Sequence, residues 1–367
     1  MKNKFLKIIF SYSIAYCLFL TTLNATTQDS LRSKANEKLT IFNEIQSNSL
    51  KSITIHTAID SILLNKKTDN NYPATFTYTD ANGNTIKKSI HIKPRGKSRR
   101  QYCSFPPLKI SFSKEELVNN GLRKKHRSLK LVTHCNDDNS GNQNVLKELL
   151  AYKIYNKLTD NSLDVQLLNV TYKDINSNIT IEKYAILIED IDELAERMDG
   201  QEMEGYGKSL IDFEQENINI FSLFQFMIGN VDWKIRVQRN VKFIQSNDEK
   251  VLKVIPYDFD SSGLVAPEYA RPFNHLGLRS MQQRLFMGIF KNKQERKNTI
   301  TLFNSKKKAI YLLVRNTKRL DKRSRYEIKG YLDTFYQIIN TRKLLDRSIP
   351  LGTKKPEISN YNGSMSL

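Results

Sequence analysis

The chain has 367 residues, of which 39% are hydrophobic and 26% charged, and its formal net charge at pH 7 is +20. This hydrophobic content is enough for a sizeable core and excludes a disordered chain. The excess of basic residues favours an anionic partner, although a basic surface can also serve only to keep a protein soluble.

The first residues have the layout of a signal peptide. Three lysines among the first seven residues form a basic head, and a mainly apolar run follows over residues 8–20. Ala25 offers a small residue for cleavage, so we expect residues 1–25 to be a signal peptide and the protein to be exported, to the periplasm or the medium. The alternative is an uncleaved N-terminal anchor. No later stretch is long and apolar enough for a span, so we expect no transmembrane span after cleavage.

The three cysteines indicate whether the protein has a disulfide. Removal of Cys17 with the signal peptide would leave Cys103 and Cys135. A pair of cysteines in an oxidising compartment indicates one disulfide, and the alternative is two buried thiols. The five histidines show no metal-ligand spacing among themselves or with the cysteines, so the sequence does not favour a zinc site.

The first half of the chain reads as mainly β. A polar entry segment (26–50) precedes residues 51–190, where apolar residues often alternate with polar ones. A hairpin is predicted to turn at Asn82-Gly83, because this pair readily takes positive φ angles. Short strands are also predicted at 108–112, 129–133, 165–172 and 181–189, with a helix at 144–158.

The second half reads as mainly helical. Over residues 191–349, one apolar helix ends at Gly229 and another surrounds Leu332, with a hairpin-like stretch between them at 240–257. The last segment (350–367) is polar and is predicted to be a flexible tail. A β-rich part followed by a helical part predicts an α+β fold.

Four oxygen-bearing side chains are predicted to converge in the second half. The helix that stops at Gly229 delivers Asp232, Asn240 opens a strand, and the partner strand leads into Asp258 and Asp260. Carboxylate and amide oxygens are the ligands of hard divalent cations, and a further carboxylate can orient an attacking hydroxyl. In the alternative, these aspartates only make turn hydrogen bonds or cap a helix.

The order Asp, Asn and then Asp on the next strand resembles the CotH-type atypical kinases and, more distantly, other secreted kinases and HipA. The resemblance implies a two-lobed kinase-like fold, with a β-rich N-terminal lobe (51–190) and a mainly helical C-terminal lobe (191–349). It implies ATP or another nucleotide as phosphate donor, with Mg²⁺ or Mn²⁺. Asp232 would be the catalytic residue. The metal ligands would be Asn240 and Asp258, with Asp260 as a second candidate.

A second cluster carries the same resemblance. Arg95, Gly96 and Ser98 belong to an Arg-Gly-x-Ser turn, which a lysine-bearing strand follows. A turn with a glycine and several cationic side chains can hold phosphates, with Lys109 as the phosphate-pairing lysine and Lys130 as its rival. Lysines in strands of so basic a chain are often only solvated.

The resemblance also implies roles for two glutamates. Glu148, on the helix at 144–158, would pair with the phosphate-binding lysine, and the alternative is an exposed helix residue. Glu189 lies where the two lobes would join and a nucleotide base could pair with exposed backbone. Acidic residues at such a position more often cap the following helix.

The expected partner follows from charge and export. Without the signal peptide the formal charge is +17, which favours an acidic or polyanionic protein or glycan as substrate, while export makes nucleic acid less favoured. The basic helices near residues 306–325 are a docking face for an acidic substrate or a membrane surface, or they are only solvated. The sequence therefore predicts an exported, metal-dependent kinase. The alternatives are a non-catalytic kinase-like binding protein of the cell envelope and, more remotely, a metal-dependent nuclease.

Overall fold

The computed structural model describes residues 38–248, 251–352 and 354–360; the predicted signal peptide and residues 361–367 of the predicted tail lie outside them. The helices and strands up to residue 190 are, in chain order, α1 (Ile41–Ser47), β1 (Ser52–Thr57), α2 (Ile59–Leu64), β2 (Tyr72–Thr79), β3 (Thr85–Pro94), α3 (Arg99–Tyr102), β4 (Leu108–Phe112), α4 (Lys114–Asn119), β5 (Ser128–Val132), α5 (Asn139–Leu158), β6 (Val165–Asp174) and β7 (Thr180–Ile188). The later ones are α6 (Ile191–Arg197), β8 (Gly200–Met203), α7 (Gln215–Ile228), β9 (Val241–Ser246), β10 (Leu252–Pro256), α8 (Lys293–Asn316), α9 (Lys322–Asn340) and α10 (Arg342–Ser348).

The first seven strands form a closed barrel in the order β1-β2-β3-β4-β5-β7-β6. Neighbouring strands are antiparallel except β1 and β6, which pair in parallel from Ser52 opposite Asn169 to Thr57 opposite Asp174. This parallel pairing joins the two ends of the sheet. The architecture is α+β, but the expectation of a two-lobed kinase-like fold is wrong, because a closed mixed barrel conflicts with that arrangement.

The alternating sequence pattern explains the barrel core. Inward-facing residues such as Ile55, Phe76 and Leu129 are fully buried and belong to one apolar cluster. The predicted hairpin is confirmed: β2 pairs with β3 from Tyr72 opposite Ile92 to Thr79 opposite Thr85. The other four strands predicted in this half are present as β4, β5, β6 and β7. The barrel therefore follows from local strand patterns plus one pairing that no local pattern predicts.

The helices after the barrel share a second core. Helix α5 lies between the barrel and this core, because it contacts β6 and β7 as well as α7 and α8. The predicted apolar helix is confirmed as α7, which ends at Gly229. A separate antiparallel sheet has the strand order β10-β9-β8. Part of the predicted tail is packed, since Ser359 exchanges two backbone hydrogen bonds with Arg284.

The predicted disulfide is confirmed. Cys103 and Cys135 are bridged, with their Cα atoms 4.6 Å apart, and both residues are buried. The bridge ties the end of α3 to the segment between β5 and α5. None of the described helices has a stretch that is both long and apolar enough to cross a bilayer.

Candidate functional site

A polar cleft of about 700 Å³ collects most of the predicted site residues. Three carboxylates, those of Asp232, Asp258 and Asp260, line the cleft together with the neutral amide of Asn240. We call these four residues the acidic set. The cationic turn of the cleft consists of residues 95–98, between β3 and α3. The remaining lining residues are Arg99, Tyr102, Pro107, Arg239, Ser261, Tyr269, Ala270, Arg271 and Phe273.

Asp232 is held by the turn that ends α7. Gly229 stops the helix with a left-handed φ of 64°, and a Cβ there would lie 2.1 Å from the hydroxyl oxygen of Tyr331. Asn230 Oδ1 then accepts a hydrogen bond of 3.0 Å from the backbone N–H of Asp232. The indole N–H of Trp233 donates to the carbonyl of Asn230. This short-range network fixes the backbone that carries the carboxylate.

Asn240 and Asp258 stand at the same end of the β9–β10 hairpin, and both have left-handed backbones, with φ of 54° and 63°. The backbone N–H of Tyr257 donates to the carbonyl of Asn240. The amide of Asn240 donates to the carbonyl of Asp232 at 2.6 Å and to its carboxylate at 3.2 Å. The backbone N–H of Asp258 donates to the hydroxyl of Tyr152 at 2.9 Å. Residues other than glycine hold such backbones only where their surroundings impose them, and they cluster at functional sites.

Asp260 is engaged by side chains of its own neighbourhood. Its carboxylate accepts hydrogen bonds from Ser261 and Tyr269 and lies 3.8 Å from Nε of Arg99. By contrast, no hydrogen bond or ion pair within the described residues engages the side chain of Asp258. Of the two carboxylates, Asp258 is therefore the one left available for a ligand.

The partner of Glu148 is an arginine. The guanidinium of buried Arg99 lies 3.7 Å from Glu148 and donates to the carbonyl of Thr133. The short helix α3 directs Arg99 inward directly after the cationic turn. Nε of Arg99 and Oε1 of Glu148 are buried without a hydrogen-bond partner in the described part of the chain, so the protein alone does not satisfy this network.

Burial and mutual repulsion change the ionisation of the acidic groups. Burial and, next, the charge of neighbouring Asp260 raise the pKa of Asp258 to about 6, while Arg99 and Arg95 oppose the shift. Burial also raises the pKa of Glu148 to about 8, against the attraction of Arg99. The pKa of Asp232 is raised by burial and lowered by its ion pair with Arg239, with a net upward direction. Carboxyls with perturbed pKa values in and beside a cleft are typical of a functional site.

The acidic set fits a divalent cation only if the ligand supplies part of the coordination. Within the described residues, no group of three or more His, Cys, Asp or Glu side chains is arranged to hold a metal ion. Mg²⁺ commonly uses one or two carboxylates together with waters and substrate phosphates. The unpartnered carboxylate of Asp258 and the amide oxygen of Asn240 suit that kind of site.

Four predicted site residues do not line the cleft: Glu148, which lies behind Arg99, and Lys109, Lys130 and Glu189. Lys109 is exposed on β4, in register with Lys130 on β5. The ammonium of Lys130 lies 5.0 Å from the ring centre of Tyr257, and burial lowers its pKa to about 8. Glu189 is ion-paired to Arg197 and accepts the backbone N–H of Asp164. Lys130 therefore contacts the residue next to Asp258, whereas the contacts of Glu189 are structural.

Sequence reasoning missed several cleft residues. Arg99 belongs to the basic run after Gly96, but nothing local indicates that it turns inward toward Glu148. Arg239, directly before Asn240, forms a 2.5 Å ion pair with Asp232 while its side chain is 51% exposed. Tyr269 approaches Asp260 from a segment without helix or strand. Only the position of Arg239 beside Asn240 offered a signal.

No protein-family model and no curated protein matches the chain. Inference of function therefore depends on the chemistry of the cleft.

Proposed function

We propose that the cleft is a phosphotransfer site, in which the protein transfers a phosphoryl group from ATP or another nucleotide to a hydroxyl of a protein or glycan acceptor. One observation carries this proposal: the acidic set and the cationic turn line the same polar cleft. Phosphoryl transfer depends mainly on positioning and on electrostatic stabilisation of the phosphates, and both kinds of group serve that purpose.

The cationic residues would bind the phosphates of the donor. Arg95 lines the cleft at the end of β3, and Gly96 has a φ of 82° that lets the chain turn there. Arg99 directly follows the cationic turn, and its guanidinium lies 3.7 Å from the carboxylate of Glu148 and 3.8 Å from that of Asp260. Asp258 and Asn240 would hold Mg²⁺ or Mn²⁺, which neutralises phosphate charge when bound.

Asp232 would receive the proton of the acceptor. As the hydroxyl oxygen bonds to the terminal phosphorus, its proton passes to the carboxylate of Asp232, and the bond from phosphorus to the bridging oxygen of the nucleotide breaks. The raised pKa of Asp232 suits this role, because a base works best when its pKa approaches the working pH. Arg239 must first leave the carboxylate, and its half-exposed side chain has room to move.

Paired amide substitutions test the roles. Asp258→Asn should weaken metal-dependent nucleotide binding about tenfold or more, because it removes a charge at the metal position. Asp232→Asn should leave binding within about twofold and lower turnover by about 10² to 10⁴. Asp248→Asn is the control, because Asp248 is exposed and outside the cleft.

Calorimetry with nucleotide and Mg²⁺ or Mn²⁺ measures binding, and transfer of labelled phosphate to the acidic protein casein measures turnover. Wild-type protein that binds no nucleotide with either metal would refute the proposal. Equal turnover in wild type and both variants would refute the assigned roles.

The ion pair between Arg239 and Asp232 favours a second candidate, a non-catalytic phosphate-binding protein of the cell envelope. In that case the carboxylate only holds Arg239 in place, and the cationic residues bind an anion without chemistry. Such a protein would bind inorganic phosphate or nucleotide without a metal, and Asp232→Asn would change the affinity rather than any turnover.

The predicted export and the positive charge of the chain narrow the choice of phosphate acceptor. The N-terminal sequence predicts export, so we place the acceptor in the envelope or outside the cell. The formal charge of +17 that remains after signal removal favours an acidic or polyanionic protein or glycan. Capture of acceptors should therefore weaken as salt increases, since salt screens exposed charges.

A further inference from the structure

Helices α8 and α9 border an open groove of about 500 Å³ that is separate from the cleft. The C-terminal half of α8 and the N-terminal half of α9 supply all of its lining residues. We call it the α8–α9 groove. It combines apolar side chains with cationic ones.

The apolar part of the groove is formed by Tyr311, Leu312, Val314 and Tyr326. Tyr326 is 65% exposed, so a large aromatic side chain stands in solvent at the edge of the groove. The hydroxyl of Tyr311 donates to Asp333 at 2.5 Å and is thus already engaged. What the groove offers a ligand is therefore mainly aromatic and aliphatic surface.

The groove lies in a strongly basic part of the chain. Residues 306–329 contain ten Lys or Arg and two Asp or Glu, a net charge of +8 out of +20 for the whole chain. Some of these cations are engaged: Lys329 pairs with Asp333, and Arg325 donates to the carbonyl of Leu320.

Two cations of the groove remain available. Lys308 and Arg315 are exposed, and neither has a salt-bridge partner among the described residues. They stand seven residues apart on α8, about two helical turns, so they follow one side of the helix. An anionic segment lying along the groove could contact both.

We propose that the α8–α9 groove binds an acidic peptide segment that inserts an apolar side chain between Tyr311 and Tyr326. Carboxylates of the segment pair with Lys308 and Arg315, and its leucine or phenylalanine covers the apolar surface. Desolvated apolar anchors next to charged groups are the usual basis of such recognition.

The shape and chemistry of the groove select this occupant. A bilayer presents a flat surface that would contact the rim of the groove and leave its floor uncovered. An anionic glycan would place hydroxyl groups against Leu312, which offers them no side-chain hydrogen-bond partner. A peptide can present carboxylates and an apolar side chain at adjacent positions.

Fluorescence anisotropy tests the proposal with two labelled peptides of equal length, one of glutamate only and one of glutamate with a central Leu-Phe pair. Lys308→Glu combined with Arg315→Glu should weaken binding of both peptides by about tenfold. Tyr326→Ala should weaken the Leu-Phe peptide by about threefold to tenfold and leave the all-glutamate peptide unchanged. Because Tyr326 is exposed, its loss should not disturb folding.

The matched control is Arg342→Glu with Lys343→Glu, which makes the same change in charge on α10. Arg342 and Lys343 are exposed and do not line the groove. The control should leave binding within about twofold. Asp258→Asn should also leave it unchanged, which separates the groove from the cleft.

Three results would overturn the proposal. In the first, the control double variant weakens binding as much as the groove double variant, which would mean general charge attraction. In the second, the all-glutamate peptide binds as tightly as the Leu-Phe peptide. In the third, phosphatidylcholine–phosphatidylglycerol vesicles or polygalacturonate show the Tyr326 dependence and the peptide does not, which would assign the groove to a membrane or a glycan.

Discussion

The hydroxyl of Tyr152 connects the core of α5 to the acidic set of the cleft, and its removal tests that connection. It accepts the backbone N–H of Asp258 at 2.9 Å, beside a backbone with a φ of 63°. Three residues later, Tyr155 is just as buried, but its hydroxyl has no hydrogen-bond partner in the described part of the chain. Both rings pack on a phenylalanine at 4.6 Å, so the two tyrosines form a matched pair.

Tyr152→Phe should lower the free energy of unfolding by about 1 to 3 kcal/mol, because a partly buried N–H loses its acceptor. Tyr155→Phe should be neutral or slightly stabilising, because it removes an unsatisfied buried hydroxyl. If Asp258 also loses its left-handed backbone in Tyr152→Phe, metal-dependent nucleotide affinity should fall about tenfold for each 1.4 kcal/mol of lost preorganisation.

Urea denaturation measures the stability difference between the variants, and calorimetric titration with nucleotide and Mg²⁺ measures the affinity. Equal stability and equal affinity of Tyr152→Phe and Tyr155→Phe would refute the reasoning. A loss of stability without a loss of affinity would mean that Tyr152 supports the fold but does not position Asp258.

Three further perturbations test the frame around the cleft. Replacing Cys103 and Cys135 by serine should lower the free energy of unfolding by about 3 to 4 kcal/mol in urea denaturation, as expected for a bridge over a sequence separation of 32. Free thiols at both positions, found by mass spectrometry of wild-type protein recovered from the periplasm or the medium, would contradict the bridge. The folded-state pKa values of Asp258 and Glu148, about 6 and about 8, lie above their ordinary 3.8 and 4.5, so the stability they contribute is complete below about pH 4 and is lost as pH rises through 6 and 8. Glu148→Gln should flatten the upper part of this decline in urea denaturation, and an unchanged profile would rule out Glu148 as its source. Gly229→Ala should cost about 2 to 4 kcal/mol in the same assay, through backbone strain and a clash with Tyr331. Gly207→Ala should cost only the backbone strain, because nothing lies within 4 Å of its added Cβ. Equal losses of stability in the two variants would disprove the clash.

Features set by neighbouring residues were predictable from the sequence. Alternating apolar residues predicted the β2–β3 hairpin, and Asp80 accepts the backbone N–H groups of Asn82 and Asn84 at its turn. A glycine after an apolar run predicted the end of α7. The spacing of Asp232, Asn240 and Asp258 predicted that they would meet, because a helix end and a hairpin deliver them over a short stretch of chain.

Features set by distant pairings were not predictable. The barrel closes because β1 pairs in parallel with β6, more than a hundred residues later, and a strand pattern does not specify its partner. Arg99 reaches Glu148 across 49 positions, and nothing in the local pattern separates it from Arg100, which bonds to the backbone of Lys66 and Lys67. A local motif such as the Asp–Asn–Asp order therefore does not determine the fold of the whole chain.

Helix α5 connects the two kinds of group that the proposed chemistry requires. Glu148 contacts Arg99, next to the cationic turn, and Tyr152 holds the backbone of Asp258 in the acidic set. These two residues are four positions apart and so lie on the same face of the helix, about 5 to 6 Å from each other. The spacing between the cations proposed to bind phosphate and the carboxylates is thus set by one helical turn rather than by the loops that line the cleft. Because α5 also packs against β7 of the barrel and against α8, the barrel and the helical core both determine that spacing.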